Sequence, residues 1–324
     1  MRVLFVVKSH VMMPEKAPFI QSQLESLESQ GIEIGCFQVI GNGIKGYVKS
    51  SQQLRAFLKI NNFDLIHAHY SLCGWTSVLA LSGKPIVLSL MGSDALGEFT
   101  GPNKTKLKSR FVVLLTLLIQ PFIKAIISKS NNIHKRVYRR KVAEIIPNGV
   151  RLDQFFADNS TDFRESLGLN KDKKYVLFLG NPENDWKNYS LAKKALKIVN
   201  NENVELLAPF PISQDRVVKF LNAADVLIAT SFMEGSSNVI KEAMACNCPI
   251  VTTDAGDAKW VIGNTTGCFI SSFEPGDVAD KIKQALIFSD KYGRTTGRQR
   301  ILELELDSAT IAKRIIHVYE KSLT

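Results

Sequence analysis

Short apolar, β-branched runs alternate with helical patterns along almost the whole of this 324-residue chain. In the first half the candidate strands are 3–7, 33–40, 64–68, 85–90, 125–128 and 143–146; in the second they are 175–179, 204–207, 226–229, 250–253 and 268–270. Helical patterns lie between them: 18–30, with Phe19, Leu24 and Leu27 on one side, then 52–60, 188–199, 215–223, 238–245 and 275–288. Strands that are apolar throughout need cover on both faces, and interposed helices supply it, so the pattern means parallel sheet. Eleven or so strands are many for one open sheet. The turn signal Ile146-Pro147-Asn148-Gly149-Val150, followed by a polar and strand-free stretch, divides the chain. The expectation is α/β: two doubly wound, Rossmann-like domains facing a cleft. Residues 1–150 would form the first, joined by a returning C-terminal helix at 308–324, and residues 151–307 the second. Ligands bind such folds beyond the carboxyl ends of the strands, where helix N-termini gather. The functional search therefore belongs in the loops after strands.

Composition narrows the classes. Hydrophobic residues make up 45% and charged residues 22%, which leaves out disordered, collagen-like and coiled-coil chains. The N-terminal apolar run is broken by Lys8 and His10, so no signal peptide is expected. The best membrane candidate, 111–119, ends at Gln120-Pro121 and falls well short of the roughly 20 residues a span requires. Five cysteines, an odd number, are expected to be reduced and packed as small hydrophobes, which places the chain in the cytoplasm. The net charge of +10 favours an anionic partner. From 103 to 143 there is no Asp or Glu, while eleven Lys and Arg flank the apolar run. That arrangement suits peripheral contact with anionic lipid at the inner face of the cell membrane; the bland reading is a buried helix with a solvated basic flank. No nucleic-acid-binding motif accompanies the basic run, so nucleic acid is not an expected partner.

The most informative segment is 224–256, ADVLIATSFMEGSSNVIKEAMACNCPIVTTDAG. A buried strand ends near Ala229, a loop follows, and a helix starts near Asn238. Gly235 lets backbone approach a ligand closely. Amides of Gly235, Ser236 and Ser237, with a helix dipole behind them, would form a site for a phosphate. Glu234 precedes that site, and Glu242 lies one turn into the helix on the face of Asn238. Carboxylates are strong acceptors for sugar hydroxyls. Two of them around a phosphate site describe a nucleotide sugar.

Glu234 and Glu242, with seven residues between them in EGSSNVIKEAMACNCPIV, resemble the Glu-x7-Glu signature of the family 4 glycosyltransferases, which have the GT-B fold. The resemblance implies that Glu234 contacts the transferred sugar and Glu242 the nucleotide ribose, with the phosphates near the intervening helix start. The segment Val176-Leu177-Phe178-Leu179-Gly180-Asn181 through Asn188 looks like the family's first donor-domain strand and loop, where a Lys, usually preceded by an Arg, neutralises the diphosphate. Lys187 fits the Lys; Asn181 stands where the Arg would be, so one positive charge is missing. On the acceptor side, Asp64-Leu65-Ile66-His67-Ala68-His69-Tyr70 and Leu88-Ser89-Leu90-Met91-Gly92-Ser93-Asp94 are similar to family segments, with Met91 in the usual place of a basic residue. His69 is expected as an acceptor-side contact, His67 as a core residue, and Gly92, Ser93, Asp94 and His10 as further lining. His67-x-His69 puts two imidazoles on one face of a strand, but no further ligand stands nearby and no Asp-x-Asp occurs, so neither metal nor another cofactor is expected.

The resulting expectation is a retaining glycosyltransferase that moves a sugar from a nucleotide-diphosphate donor to a glycan or lipid-linked acceptor in cell-surface polysaccharide synthesis. Glu234, Lys187 and His69 would be its catalytic residues. Gly180, Asn181, Lys187, Glu234, Gly235, Ser236, Ser237, Asn238 and Glu242 would bind the donor. Two other readings stay open: a nucleotide-sugar 2-epimerase of the same fold, and a non-catalytic basic protein that binds lipid or nucleic acid.

Overall fold

The computed structural model describes residues 1–8, 18–40, 43–101, 104–158 and 162–324. Its contacts divide the chain into two compact units, one of residues 1–98, 105–149 and 308–324, the other of residues 99–104 and 150–307.

The first unit is built on a six-stranded parallel sheet. Its strands are β1 (Arg2–Lys8), β2 (Glu33–Val39), β3 (Leu65–His69), β4 (Ile86–Leu90), β5 (Ala125–Ser128) and β6 (Ala143–Ile145), in the order β2-β1-β3-β4-β5-β6. β3 and β4 are buried at every position, the polar His67, His69 and Ser89 included. Leu4, Val6, Ile66, Leu88 and Ile126 from the sheet pack with Leu54, Cys73 and Ile119 from the helices. The helix Gly43–Ile60 begins nine residues before its expected start. Its first half carries Gly46 and little apolar periodicity, and packing of the buried Ser50, Ser51 and Leu54 overrides weak local propensity. The C-terminal helix Ser308–Leu323 buries Ile311, Ile315 and Tyr319 in this unit.

The helix Leu107–Ile119 reverses the usual pattern. Its buried residues are Ser109, Thr116 and Ile119, while Leu107, Phe111, Leu114 and Leu118 are exposed. Thr116 turns inward because its hydroxyl donates to the Asp94 carbonyl at 2.7 Å. Among the described residues no helix is long and apolar enough to cross a membrane.

The second unit has a five-stranded parallel sheet of β7 (Lys174–Phe178), β8 (Val204–Leu207), β9 (Val226–Ala229), β10 (Ile250–Thr253) and β11 (Cys268–Ser271), in the order β8-β7-β9-β10-β11. Val176, Phe178, Val226, Ile228 and Val251 meet Leu191, Ala195, Val278 and Ile282 in its core. The helix Pro275–Tyr292 runs past its expected end at 288 and stops at Gly293, whose φ of 72° suits glycine. Parallel sheets layered with helices in two Rossmann-like halves are the α/β architecture the sequence implied.

Candidate active site

The strand order of the second sheet fixes where a ligand belongs. After β7 the chain moves outward to β8, then returns to the other side of β7 to form β9. The loops leaving β7 and β9 therefore part in opposite directions, and the crevice between them is the switch point at which such sheets bind ligands. Lys187 comes from the first loop and Glu234 from the second.

The first loop runs from Leu179 through a single 3-10 turn, Asp185–Lys187, into the helix Tyr189–Val199. Asn188 makes the junction in the left-handed region at φ 51°, a conformation asparagine tolerates. The two loops are stitched together. The Thr230 hydroxyl donates to the Asn188 carbonyl at 2.9 Å, and the Phe232 amide donates to the Trp186 carbonyl at 2.8 Å. This brings the Lys187 ammonium to 2.6 Å from Glu234 Oε1, an oxygen that also accepts from the Ser231 hydroxyl at 2.7 Å. Both side chains stay partly open to solvent, at 22% and 17%. The Lys187 stem passes Gly180, where a β-carbon would stand 3.5 Å from Lys187 Cδ. Asn181 begins the turn and accepts from the Glu183 amide through its side chain at 3.0 Å.

Glu242 sits deeper, on the helix Asn238–Ala245. Burial pushes its carboxyl up to about 7, against a hydrogen bond from Gln214 and the charges of Lys241 and Lys187, which pull it down. Near neutral pH it is thus divided between carboxylate and carboxylic acid, and it can accept or donate a hydrogen bond to a hydroxyl group. The loop between the two glutamates departs from expectation at one point. The Ser237 amide does not face outward for an anion; it donates to Asp257 Oδ1 at 3.1 Å. The anion-binding role expected for that amide is therefore withdrawn, and the reason is a carboxylate, Asp257, whose place beside the loop the sequence pattern did not reveal. Gly235, Ser236 and Ser237 are all buried, and Asn238 is half-buried at the helix start.

Four of the five acceptor-side expectations fall on described residues of the first unit; His10 lies outside them. His69 ends β3, is buried, and among the described residues has no hydrogen-bond partner on either ring nitrogen. Burial, with Lys129 nearby, lowers it to about 3, so its ring is neutral. Its ring lies 4.2 Å from that of His67 at a tilt of 31°, and His67 Nδ1 meets the Tyr319 hydroxyl at 2.6 Å while its Nε2 meets the Ser89 hydroxyl at 2.8 Å. Asp94 is fully buried, and its carboxylate accepts from the amides of Met91 at 2.9 Å, Gly92 at 3.0 Å and Ser71 at 3.0 Å. It shapes the loop from within rather than lining a surface, which corrects the expected role. Gly92 takes φ 128°, which a side chain would resist, and Ser93 starts the short helix Ser93–Leu96. Among the described residues no three His, Cys, Asp or Glu side chains gather as metal ligands.

Sequence reasoning missed Ser231, Gln214, Lys241 and Asp257. Ser231 lies within the quoted motif, three residues before Glu234, a spacing that lets a hydroxyl reach back across a tight loop. The other three contribute only through tertiary contacts.

Two family models match successive parts of the chain. The one described as Glycosyltransferase Family 4 covers residues 17–154, and the one described as Glycosyl transferases group 1 covers residues 169–287. A putative teichuronic acid biosynthesis glycosyltransferase of Bacillus subtilis is 22% identical over 227 residues, which is 62% of this chain and 55% of that protein. The chain thus spans only about half the length of that relative. Among solved structures, a sucrose-phosphate synthase from Thermosynechococcus elongatus superposes with a TM-score of 0.79 at 16% identity, covering 99% of each chain. Anabaena HepE in complex with UDP and glucose gives 0.71 at 18% identity, again covering 99% of each. The fold is therefore GT-B, and with a glycosyltransferase family model on each of its halves the chain is a glycosyltransferase of family 4-like type.

Proposed function

We propose that this chain is a retaining glycosyltransferase that moves a sugar from a nucleoside-diphosphate sugar to a glycan or lipid-linked acceptor in cell-surface polysaccharide synthesis. The observation that carries the reading is the meeting of Lys187 and Glu234 at 2.6 Å where the strand order of the second sheet reverses. When the bond to the anomeric carbon breaks, the leaving diphosphate gains negative charge. An ammonium has three donors, and those not directed at Glu234 serve the phosphate oxygens. Glu234 accepts from hydroxyls of the transferred sugar, Glu242 exchanges hydrogen bonds with the ribose, and together they hold the anomeric carbon in place. No side chain is assigned as general base, because in a front-side displacement the departing phosphate takes the acceptor's proton. His69, neutral and without a hydrogen-bond partner among the described residues, is offered as a hydrogen-bonding contact on the acceptor side rather than as an acid. HepE binding UDP and glucose, and the B. subtilis relative's link to teichuronic acid, support a donor and a product of these classes.

The same reading places the chain peripherally on the inner membrane face. Leu107, Phe111, Leu114 and Leu118 recur every three or four residues, so they form one stripe along the helix. With Phe122 just beyond it, these side chains are 49% to 77% exposed. Lys108, Arg110, Lys124, Arg140 and Lys141 are exposed on the same segment. An apolar stripe edged by cations suits an anionic bilayer surface.

The test of function is a calorimetric screen of UDP-, GDP- and ADP-sugars, followed by product analysis with a polyprenyl-linked acceptor. Binding of one donor class and transfer with retained anomeric configuration are expected. Isomerisation of the donor without acceptor would instead support an epimerase, and the absence of nucleotide binding would remove the enzyme reading.

A further inference from the structure

Directly behind the proposed donor loop lies a buried ion pair that the chemistry above does not use. Lys241 follows Ile240 on the helix Asn238–Ala245, and its side chain is completely buried; Asp257 is 5% exposed. Asp257 occupies the N-cap position of the helix Ala258–Ile262 but makes no cap bond there. Its carboxylate turns to the loop instead. Oδ1 accepts from the Ser237 amide at 3.1 Å, and Oδ2 accepts from the Ser236 hydroxyl at 2.7 Å and the Lys241 ammonium at 2.8 Å. Lys241 also donates to the Ser236 hydroxyl oxygen at 2.5 Å. The turn that carries Asp257 touches Glu234 as well. Gly256 has φ +66°, and a β-carbon there would stand 2.8 Å from the Glu234 carbonyl oxygen and 3.0 Å from Glu234 Cβ. One residue before Asp254, the Thr253 hydroxyl donates to the Ser231 carbonyl at 2.6 Å.

We infer that Lys241 and Asp257 are positioning residues that set the Glu234–Ser237 loop in its donor-receiving shape, acting through Ser236, Ser237 and the close approach of Gly256 to Glu234. The inference rests on the reading of that loop as the donor site. Stability alone does not account for the pair. Desolvating two ions is costly, and apolar side chains of similar volume commonly replace a buried pair without loss. A charged pair adds direction: a carboxylate with three donors from one loop and one helix fixes their mutual orientation, which an apolar contact of the same size does not. The helix residue next to Glu242 and the turn beside Glu234 are thereby tied to one point.

The experiment uses the full chain and two variants. Lys241→Met/Asp257→Leu removes both charges while keeping bulk, and Asp257→Asn removes one charge and leaves Lys241 without its counter-ion. Hydrogen exchange is followed by mass spectrometry in the ligand-free protein, on the peptide 232–238 and on the peptide containing β9. Nucleotide affinity is measured by calorimetry with UDP, GDP and ADP. In the double variant we expect exchange in 232–238 to quicken at least tenfold while β9 keeps its protection. The Kd of the tightest nucleotide should rise at least tenfold. Asp257→Asn should move both readouts in the same direction. A double variant with unchanged β9 protection and with either readout within twofold of the wild type overturns the inference. Loss of β9 protection in both variants also overturns it, because the pair would then be holding the fold and not the loop. Should the wild type bind none of the three nucleotides, the donor reading fails, and the exchange readout still decides whether the pair sets the loop.

Discussion

Replacing Lys187 by alanine isolates the charge that the proposed reaction needs most. A positive charge about 4 Å from a phosphate oxygen contributes about 4 kcal/mol at an effective dielectric of about 20. Lys187 and Glu234 are 22% and 17% exposed, so water screens part of that interaction and about 3 kcal/mol is the reasonable share. At about 1.4 kcal/mol per factor of ten, the variant should lose roughly a hundredfold in kcat/KM. The greater part should fall on kcat, because charge on the diphosphate grows as the glycosidic bond breaks. The fold should be little affected. Glu234 keeps its hydrogen bond from Ser231 and its access to solvent, so the thermal midpoint should move by no more than a few degrees. Release of nucleoside diphosphate is followed in a coupled assay with the donor identified by calorimetry. A correctly folded Lys187→Ala protein with kcat and KM within threefold of the wild type would refute the assignment of Lys187, and with it the reading of the β7–β9 crevice.

Three further outcomes follow from side chains elsewhere. The carboxyls of Glu242 and Asp94 are raised on folding, to about 7 and about 6, from ordinary values of 4.5 and 3.8. Between those limits these two groups hold more protons in the folded chain than in the unfolded one, so their contribution to stability is greatest at the acidic end and falls as pH rises from about 4 to about 7, while buried His69, lowered to about 3 from 6.5, contributes in the opposite sense. Glu242→Gln should remove the falling part that Glu242 contributes, making the slope of stability against pH more positive between about pH 5 and 7 in urea titrations; an unchanged slope would contradict the burial argument. Tyr319→Phe leaves the buried His67 Nδ1 without its partner at 2.6 Å and should destabilise the first unit by about 1–3 kcal/mol, seen as a lower urea midpoint. Leu118→Asp combined with Phe122→Asp should reduce co-sedimentation with phosphatidylglycerol vesicles at least tenfold while leaving nucleotide affinity untouched, and wild-type binding should weaken as salt rises. Equal binding of wild type and variant would remove the membrane reading.

Much of this architecture could be read from the chain because parallel sheets write themselves plainly. Four strands, Ala125–Ser128, Val204–Leu207, Val226–Ala229 and Ile250–Thr253, have the bounds expected of them, because parallel strands between layers of helix are mostly apolar and stand out from the polar loops around them. The start of Gly43–Ile60 was illegible because helix propensity there is weak and tertiary packing decides it. The Leu107–Ile119 segment was half legible. Its apolar content and cationic flanks stood in the sequence, but which side faced inward depended on Thr116 finding the Asp94 carbonyl. At the candidate site, Glu234 and Glu242 stood out by their spacing, and Lys187 by the resemblance of its loop to the donor loop of the family 4 glycosyltransferases. The Lys241–Asp257 pair was hidden because its members lie sixteen residues apart and meet only when the turn after β10 folds against the loop after β9. The same carboxylate explains why the Ser237 amide is already engaged.

The central claim is that an activated sugar lies in the β7–β9 crevice with its diphosphate on Lys187. The most direct measurement is a crystal structure of the chain with the nucleoside diphosphate that binds it tightest. Phosphate oxygens are expected within hydrogen-bonding distance of Lys187 Nζ, and a ribose hydroxyl on Glu242. Nucleotide bound elsewhere, with Lys187 still closed onto Glu234 and the crevice unfilled, would contradict the claim.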